Sequence, residues 1–340
     1  MTARIVPRAL IVAAVALLVA AGAVLAATQI GSDDPAGGGG APAAGSRSDR
    51  WAALAPSPLA RTEVAAARAG NFIYVVGGFE QRSGETTGAL ARYDIEQNSW
   101  KTLRSMPIAV NHAAAATYKG DLYVLGGYTG RRSLDDEVSS LYRYEPDRDR
   151  WKKLKSAPTR RGAHTVGVLG DRLYAAGGAT DNGKALKLLE IYDFESGKWK
   201  RGPDMITRPR EHLAGAVAGG FFYVLAGRAG GEGNFTVAER FNPRSKRWER
   251  LPDMRKSRGG IAAAPVGDRI VVFGGEESAG TISEVELYDP ATRRWKFLPA
   301  LRTPRHGLGA ASLGDRVYAI EGGTSPGFSF SNAIEALDVR

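Results

Sequence analysis

Arginine recurs at one place in a repeating sequence pattern, and guanidinium groups at matched positions can bind anions. Four of the arginines lie 16 residues before the first member of a Gly-Gly or Ala-Gly pair, and one lies 17 residues before it. The five are Arg61, Arg161, Arg210, Arg258 and Arg305, whereas one repeat has Val110 instead. A guanidinium group holds a carboxylate through two parallel hydrogen bonds. The spacing therefore predicts a basic rim that binds an anionic ligand; the alternative is that each arginine pairs with a nearby acidic side chain.

All four histidines of the chain lie close to these arginines. They are His112, His164, His212 and His306, which precede the pairs by 13 to 16 residues and are therefore not in strict register. A metal ion needs ligand atoms that converge at about 2.0 to 2.1 Å, so we expect neither a metal site nor a cofactor here. His164 and His212 are candidate ligand-binding residues, with general acid–base use or simple packing as the alternatives. No catalytic residue is assigned.

The elements that position these side chains are set by the glycine pairs and the tryptophans. The first members of the pairs are 49, 51, 49, 48 and 48 residues apart, and they belong to Gly77-Gly78, Gly126-Gly127, Gly177-Gly178, Ala226-Gly227, Gly274-Gly275 and Gly322-Gly323. The tryptophans keep the same step, at Trp51, Trp100, Trp151, Trp199, Trp248 and Trp295. A fixed period near 50 residues is typical of a repeat architecture.

Each repeat contains the signals of four short strands. A run of small apolar residues is followed by a turn such as Gly120-Asp121, a second apolar run that ends at the glycine pair, an alternating run and a final strand that carries the tryptophan. Four antiparallel strands repeated radially predict an all-β, six-bladed β-propeller. The chain starts with a lone fourth strand at Trp51 and stops after a third strand, so we expect residues 50–55 to pair beside 333–339 and close the last blade.

The Gly-Gly, Tyr-Asp and Trp pattern resembles the kelch repeat over residues 50–340. Departures are Ala226 for glycine, Phe241-Asn242 for Tyr-Asp and Leu337 for tyrosine. Kelch propellers differ in function, so the resemblance implies the fold and several roles. Copper chemistry of the galactose oxidase type needs a cysteine cross-linked to tyrosine, and the chain has no cysteine. Two roles stay open: partner binding at the mouth of the ring, as in adaptor kelch domains, and mutarotation of an acidic sugar, as in the sialic acid mutarotases that this chain also resembles.

The chain divides into three parts by composition. Residues 1–27 carry Arg4 and Arg8 before an uncharged apolar run over residues 9–27, which predicts a signal peptide or a transmembrane helix that tethers the protein to the membrane. Residues 28–48 form a linker rich in Gly, Ala, Pro and Ser, and residues 49–340 form the propeller. We expect an exported protein, secreted or periplasmic, or anchored to the cytoplasmic membrane with the propeller outside.

Charge and the pattern together lead to a functional expectation. The net charge of +10 favours an anionic partner. The basic run over residues 148–155 does not predict nucleic-acid binding, because its Trp151 belongs to the repeat. We expect an exported, non-catalytic module that binds a protein or glycan through the arginine-rich mouth. The alternative is an enzyme of the mutarotase type that acts on an acidic sugar.

Overall fold

The computed structural model describes residues 50–180 and 183–340. Their regular structure is almost entirely β-strand, and they include a short 3-10 helix at Pro146–Arg148. The predicted signal peptide or membrane anchor (1–27) and linker (28–48) lie outside the described residues. No helix in the described ranges is long and apolar enough to cross a membrane.

The strands form six four-stranded antiparallel sheets, which we call blades, with eight short strands at the loops. In chain order the strands are β1 (Ala52–Ala53), β2 (Arg61–Thr62), β3 (Ala65–Ala69), β4 (Phe72–Val76), β5 (Phe79–Glu80), β6 (Glu85–Thr86), β7 (Leu90–Asp94), β8 (Ser99–Leu103), β9 (Ala114–Tyr118), β10 (Asp121–Leu125), β11 (Leu141–Glu145), β12 (Arg150–Lys153), β13 (Thr165–Leu169), β14 (Arg172–Ala176), β15 (Ala179–Thr180), β16 (Lys184–Ala185), β17 (Leu189–Asp193), β18 (Lys198–Arg201), β19 (Ala214–Ala218), β20 (Phe221–Leu225), β21 (Arg228–Ala229), β22 (Gly233–Asn234), β23 (Ala238–Asn242), β24 (Arg247–Arg250), β25 (Gly259–Val266), β26 (Arg269–Glu277), β27 (Gly280–Thr281), β28 (Val285–Asp289), β29 (Arg294–Leu298), β30 (Gly309–Leu313), β31 (Arg316–Ile320) and β32 (Ile334–Asp338).

The blades follow one another around a closed ring. Blades 1 to 6 are β3-β4-β7-β8, β9-β10-β11-β12, β13-β14-β17-β18, β19-β20-β23-β24, β25-β26-β28-β29 and β30-β31-β32-β1. The first strands contact in the order β3, β9, β13, β19, β25, β30 and again β3. These strands are rich in alanine and glycine because six of them must approach one axis. The ring of contacts confirms the predicted all-β propeller.

Tryptophan joins each blade to the one before it. Every indole Nε1 donates a hydrogen bond of 2.7 to 2.9 Å to a backbone carbonyl of the preceding blade, as Trp100 does to Ala55 and Trp295 to Pro252. In five blades the same ring packs 5.0 to 5.3 Å from the aromatic residue of the third strand. Tryptophan therefore fills the space between neighbouring blades.

The glycine pairs form a second set of joints. The N–H of the second residue of each pair donates to the carbonyl of the arginine, or of Val110, in the next blade at 2.8 to 3.0 Å. A Cβ on Gly77 would overlap the Val110 carbonyl oxygen. In blade 6 the residues at these positions are Glu321 and Gly322, since Gly322 N–H donates to Arg61 and Glu321 has the left-handed φ of 55°. The pair assigned from the sequence, Gly322-Gly323, was therefore shifted by one residue.

The ring closes as predicted from its first and last strands. In blade 6, β1 pairs antiparallel with β32, with Ala52 opposite Ala336 and Ala53 opposite Glu335. Two further backbone bonds extend the pairing, from Leu54 to Ile334 and from Ser57 to Asn332. The start of the propeller therefore completes its last blade.

Candidate functional site

The five arginines differ from the basic rim expected at the mouth. Their side chains are at most 1% exposed, and each forms an ion pair with a glutamate: Arg61 with Glu321, Arg161 with Glu190, Arg210 with Glu239, Arg258 with Glu286 and Arg305 with Glu335. Each Nη1 also donates to the carbonyl of the residue 16 positions later, which is the first member of the pair. The guanidinium groups therefore brace the glycine turns, and ligand binding by them stays a prediction that this geometry does not favour.

The glutamate partners of four of these arginines occupy the same position of the repeat. In blades 3 to 6 the glutamate is the second residue of the third strand, as in Glu190 of β17. Blade 2 lacks both charges, with Val110 and Tyr142 at the two positions and both side chains buried in one apolar cluster. Blade 1 has Ala91 there, and Arg61 uses Glu321 of blade 6 instead. An unpaired buried charge is costly, so each of the five buried arginines has a glutamate partner, either on its own blade or on a neighbouring one.

Around the axis runs a belt of six equivalent residues, two positions after each arginine or Val110. They are Glu63, His112, Ala163, His212, Gly260 and Gly307, all with φ between 51° and 69°. A closed circuit of backbone hydrogen bonds links successive blades at this level, with His112 N–H donating to Glu63 and Val64 N–H donating to Gly307. Glycine adopts this left-handed conformation without strain, whereas other residues do not. Strained residues cluster at functional sites, which draws attention to Glu63, His112 and His212.

The histidines occupy three adjacent layers around the axis. His112 and His212 belong to the belt, His306 precedes it by one position and His164 follows it by one, beside Val64 and Leu213 in the channel. One ligand atom from each of Glu63, His112 and His212 lies within 4.8 Å of the other two. The sequence prediction that the histidines would not converge is therefore wrong for these two. His164 is buried, and neither of its ring nitrogens has a hydrogen-bond partner among residues 50–180 and 183–340.

Glu63 is the centre of this cluster, which we call the axial cluster: Glu63, His112, His212 and His306. Its Oε2 lies 3.1 Å from His112 Nε2, and its Oε1 lies 3.1 Å from His306 Nδ1. The rings of His112 and His212 meet edge to face with centroids 4.8 Å apart. Three imidazole rings from blades 2, 4 and 6 thus surround one carboxylate from blade 1.

A second set of charges supports the axial cluster. Glu211 accepts hydrogen bonds from His212 Nδ1 and from Arg228 Nε, and Arg228 Nη1 also donates to Glu276 at 2.9 Å. Glu276 Oε2 lies 3.7 Å from His306 Nδ1 and accepts the Gly327 N–H at 2.9 Å. Blades 4, 5 and 6 are therefore linked by a network of charges around the axis.

Burial and charge set the protonation of the axial cluster. Burial by itself raises the pKa of the Glu63 carboxyl, but the three imidazoles outweigh it and hold that pKa below its ordinary value. Burial lowers the pKa of His112 and, more strongly, that of His212. Burial also acts to lower the pKa of His306, but the hydrogen bond and charge of Glu63 raise it overall. These shifts favour the ionised form of Glu63 and the protonated form of its neighbour His306.

Above the axial cluster opens a cavity of about 170 Å³, the mouth pocket. Its floor includes Glu63, His112 and His306, and its walls come from the loops that follow the second strands. Phe328 and Leu134 stand at the rim with 53% and 47% of their surface exposed, and Phe328 packs 4.6 Å from buried Phe79 between ring centroids. The pocket thus combines an apolar rim with a polar, buried floor.

Of the site residues predicted from the sequence, His212 lies at this floor and His164 lies in the channel below it. The prediction missed Glu63, His112, His306 and the rim. A signal for Glu63 and His112 existed, because both lie two residues after the arginine position, where blades 5 and 6 have glycine. The rim had no such signal, since its loops differ from blade to blade.

Family comparisons agree with this architecture. The family model described as the KLHDC2/KLHL20/DRC7 Kelch-repeats domain matches residues 63–258, and the Kelch motif matches residues 257–302. The solved structure of YjhT has a TM-score of 0.70 with 17% sequence identity, over 83% of this chain and 96% of that one. At this identity, the likeness shows a shared fold.

Similar sequences include plant and animal proteins. An F-box/kelch-repeat protein of Arabidopsis thaliana is 32% identical over 145 residues, which are 40% of this chain and 34% of that protein. Kelch-like protein 23 of Homo sapiens is 32% identical over 141 residues, or 41% of this chain and 25% of that protein. The chain thus spans a quarter to a third of the length of these relatives. With more than half of its residues matched by one kelch domain model, the chain belongs to the kelch-repeat β-propeller family.

Proposed function

We propose that this protein is a binding module that takes the end of a glycan into the mouth pocket. The observation that carries the proposal is the exposed Phe328 and Leu134 above the buried floor of Glu63 and His306. A sugar ring has one or more apolar C–H faces and a perimeter of hydroxyl groups. Its faces can pack against Phe328 and Leu134 while its hydroxyls donate to the Glu63 carboxylate.

The charges of the pocket favour a neutral sugar over the anionic partner expected from composition. The carboxylates of Glu63 and Glu276 line the pocket together with Arg228 and Arg132, and Arg228 already donates to Glu276. Arg132 stands at the rim, where it pairs with Glu85 at 3.4 Å. Both arginines of the lining are thus already paired with glutamates, so a carboxylated ligand would have to compete with these glutamates for them.

The test is calorimetric titration of the full chain with glucose, N-acetylglucosamine, glucuronic acid, sialic acid and a glutamate-rich peptide. We expect saturable binding of a neutral sugar and at least a fivefold weaker affinity in Phe328→Ala, because the contact of a ring face is worth about 1 kcal/mol or more. Phe297→Ala is the matched control, since Phe297 is similarly exposed, at 50%, but lies on the outer strand β29.

Each outcome of this titration is informative. Binding of the peptide with the same loss in Phe328→Ala would replace the glycan with a protein partner. Binding of an acidic sugar together with faster interconversion of its anomers would support the mutarotase alternative instead. If no sugar binds, or if both phenylalanine variants behave alike, the proposal fails.

We also propose that the propeller lies outside the cytoplasm. The support is the apolar, uncharged run over residues 9–27 after Arg4 and Arg8. Protease added to intact cells should then cleave the propeller, or the propeller should be recovered from the medium or periplasm. Full protection from protease in intact cells with the protein recovered from the cytoplasm would contradict export.

A further inference from the structure

The far ring nitrogen of each imidazole in the axial cluster is bound to an acceptor. His112 Nδ1 lies 2.7 Å from Asn111 Oδ1, His306 Nε2 lies 3.1 Å from the Ser325 carbonyl, and His212 Nδ1 contacts the Glu211 carboxylate. A carbonyl or carboxylate oxygen can only accept, so these nitrogens carry the protons. In a neutral imidazole the other nitrogen then has a free lone pair.

For His112 the direction of the proton follows from a chain of hydrogen bonds. Thr86 Oγ1 donates to the Gly130 carbonyl at 2.5 Å, so this oxygen accepts the bond of 2.8 Å from Asn111 Nδ2. The amide orientation of Asn111 is thereby fixed, and its Oδ1 faces His112 Nδ1. His112 must donate from Nδ1. Its Nε2 lone pair therefore faces Glu63 Oε2 across 3.1 Å.

Two lone pairs that face each other at this distance repel unless a cation lies between them. A second proton, on His112 Nε2, is one solution, because it would form an ion pair with Glu63. A metal ion is the other solution. Imidazole nitrogens whose far N–H is held by a carboxylate or carbonyl oxygen, as in His212 with Glu211, are the usual arrangement of metal-binding histidines.

We propose that Glu63, His112 and His212 bind one divalent transition-metal ion on the propeller axis. Ligand atoms around such an ion, at about 2.0 to 2.2 Å, lie about 3 to 3.6 Å apart. The Glu63–His112 distance of 3.1 Å already fits. The three ligand atoms lie within 4.8 Å of one another, so His212 would need to move by about 1 Å.

The donor set fits first-row ions such as Zn²⁺ or Co²⁺. Two imidazoles and one carboxylate are ligands that these ions accept, and three protein ligands leave a coordination position open. That position lies between the mouth pocket above and the channel below, because Glu63, His112 and His212 line both. The left-handed backbone of all three residues is also explained, since only side chains other than glycine can supply ligands there.

The first experiment titrates Co²⁺ into the purified full chain without a histidine tag and follows the visible d–d absorption. The chain has only four histidines, so background binding is small. We expect saturation at one equivalent per chain and a rise in melting temperature with Zn²⁺. This measurement needs no variant. Lack of a stoichiometric visible spectrum would overturn the proposal.

Substitutions of the three proposed ligands then test where the ion binds. His112→Asn and His212→Asn suit the left-handed backbone, because asparagine is one of the residues that adopt it. Each should weaken Co²⁺ binding at least tenfold, and Glu63→Gln should do the same without a change in side-chain shape. His164→Ala is the matched control, since His164 is buried in the adjacent layer and is not a proposed ligand. Unchanged Co²⁺ affinity in both asparagine variants would place the ion elsewhere and refute the site. Glu63 belongs to both proposed sites, so the Co²⁺ titration is carried out without sugar, and its outcome does not depend on whether a glycan binds.

Discussion

Blade 2 is an internal control for the buried ion pairs. Its Val110 and Tyr142 occupy the positions that hold an arginine and a glutamate in blades 3 to 6, and both sets of side chains are buried. One fold thus accommodates either an ion pair or two uncharged side chains. Removing a single charge is different, because the remaining charge stays buried without compensation.

This difference predicts a non-additive result in blade 5. Glu286→Gln should destabilise the protein by about 3 kcal/mol, because Arg258 then keeps a buried charge without its carboxylate. The double variant Arg258→Val with Glu286→Tyr copies blade 2 and should be more stable than Glu286→Gln. Urea unfolding of the wild type, Arg258→Val, Glu286→Tyr and the double variant measures the coupling, and Glu286→Gln is unfolded alongside them. A cost below about 1 kcal/mol for Glu286→Gln, or a double variant that is the least stable of the set, would show that the unpaired buried charge is not costly here.

At the scale of the strand and turn, two glycines separate conformational strain from contact between blades. Gly70 and Gly77 both have positive φ, of 57° and 70°. A Cβ on Gly70 would meet nothing within 4 Å among the described residues, whereas on Gly77 it would overlap the Val110 carbonyl of blade 2. Both positions have a left-handed backbone, but only Gly77 lies at the contact between blades 1 and 2.

We therefore expect unequal costs for the same substitution. Gly70→Ala should destabilise by about 1 kcal/mol through its φ alone. Gly77→Ala should cost at least about 3 kcal/mol, because the carbonyl that it meets is also the acceptor of the bond from Gly78 N–H. Thermal unfolding of both variants provides the comparison. Equal losses of stability in the two variants would mean that the contact between blades 1 and 2 adds nothing to the cost of the backbone strain.

The elements were predictable from the sequence because the repeat markers are also the joints. Tryptophan and the glycine pair recur at one step, and each makes the same contact in every blade. The glycine pair of blade 6 was assigned one residue too late because Glu321, a charged residue, occupies a position that is glycine or alanine in the other blades. The one-residue irregularity at Arg305 was the signal, because the true spacing from Arg305 to Glu321 is again 16.

The site was harder to predict because its residues come from different layers and different blades. For four of the five arginines the glutamate partner lies 28 to 30 residues later on another strand, so local spacing does not show that the charges are neutralised. The histidines differ by one residue in register, which shifts a side chain along the axis by about 3.3 Å. That shift is small beside the length of an imidazole or carboxylate side chain. Near the axis, side chains from neighbouring layers therefore still meet, as His306 and Glu63 do.

For the whole molecule, the closure of blade 6 by β1 is the contact between the two ends of the propeller. The pairing with β32 covers two residues, and Trp51 adds a buried ring 5.5 Å from Phe273 and a hydrogen bond to Pro299. Opening this contact exposes an edge of β32 and breaks the circuit of blades.

Replacing residues 50–55 of the full chain with a Gly-Ser sequence of equal length should therefore cost about 4 kcal/mol or more, since loss of one buried tryptophan alone costs about 3 to 5. The melting temperature should fall by about 10 °C. The same replacement at the exposed loop residues 81–83 is the control and should change it little. Equal melting temperatures for the two replacements would show that the ring does not depend on its closing strand.

Each junction between blades is fastened at three distances from the axis: at the belt, at the glycine pair and at the tryptophan indole. Three contacts at increasing distance from the axis fix the angle between two neighbouring blades. Six equal wedges fill a circle when each subtends one sixth of a turn. The number of blades is thus specified at every junction, so a duplicated repeat would find no angular room and would have to remain outside the circle.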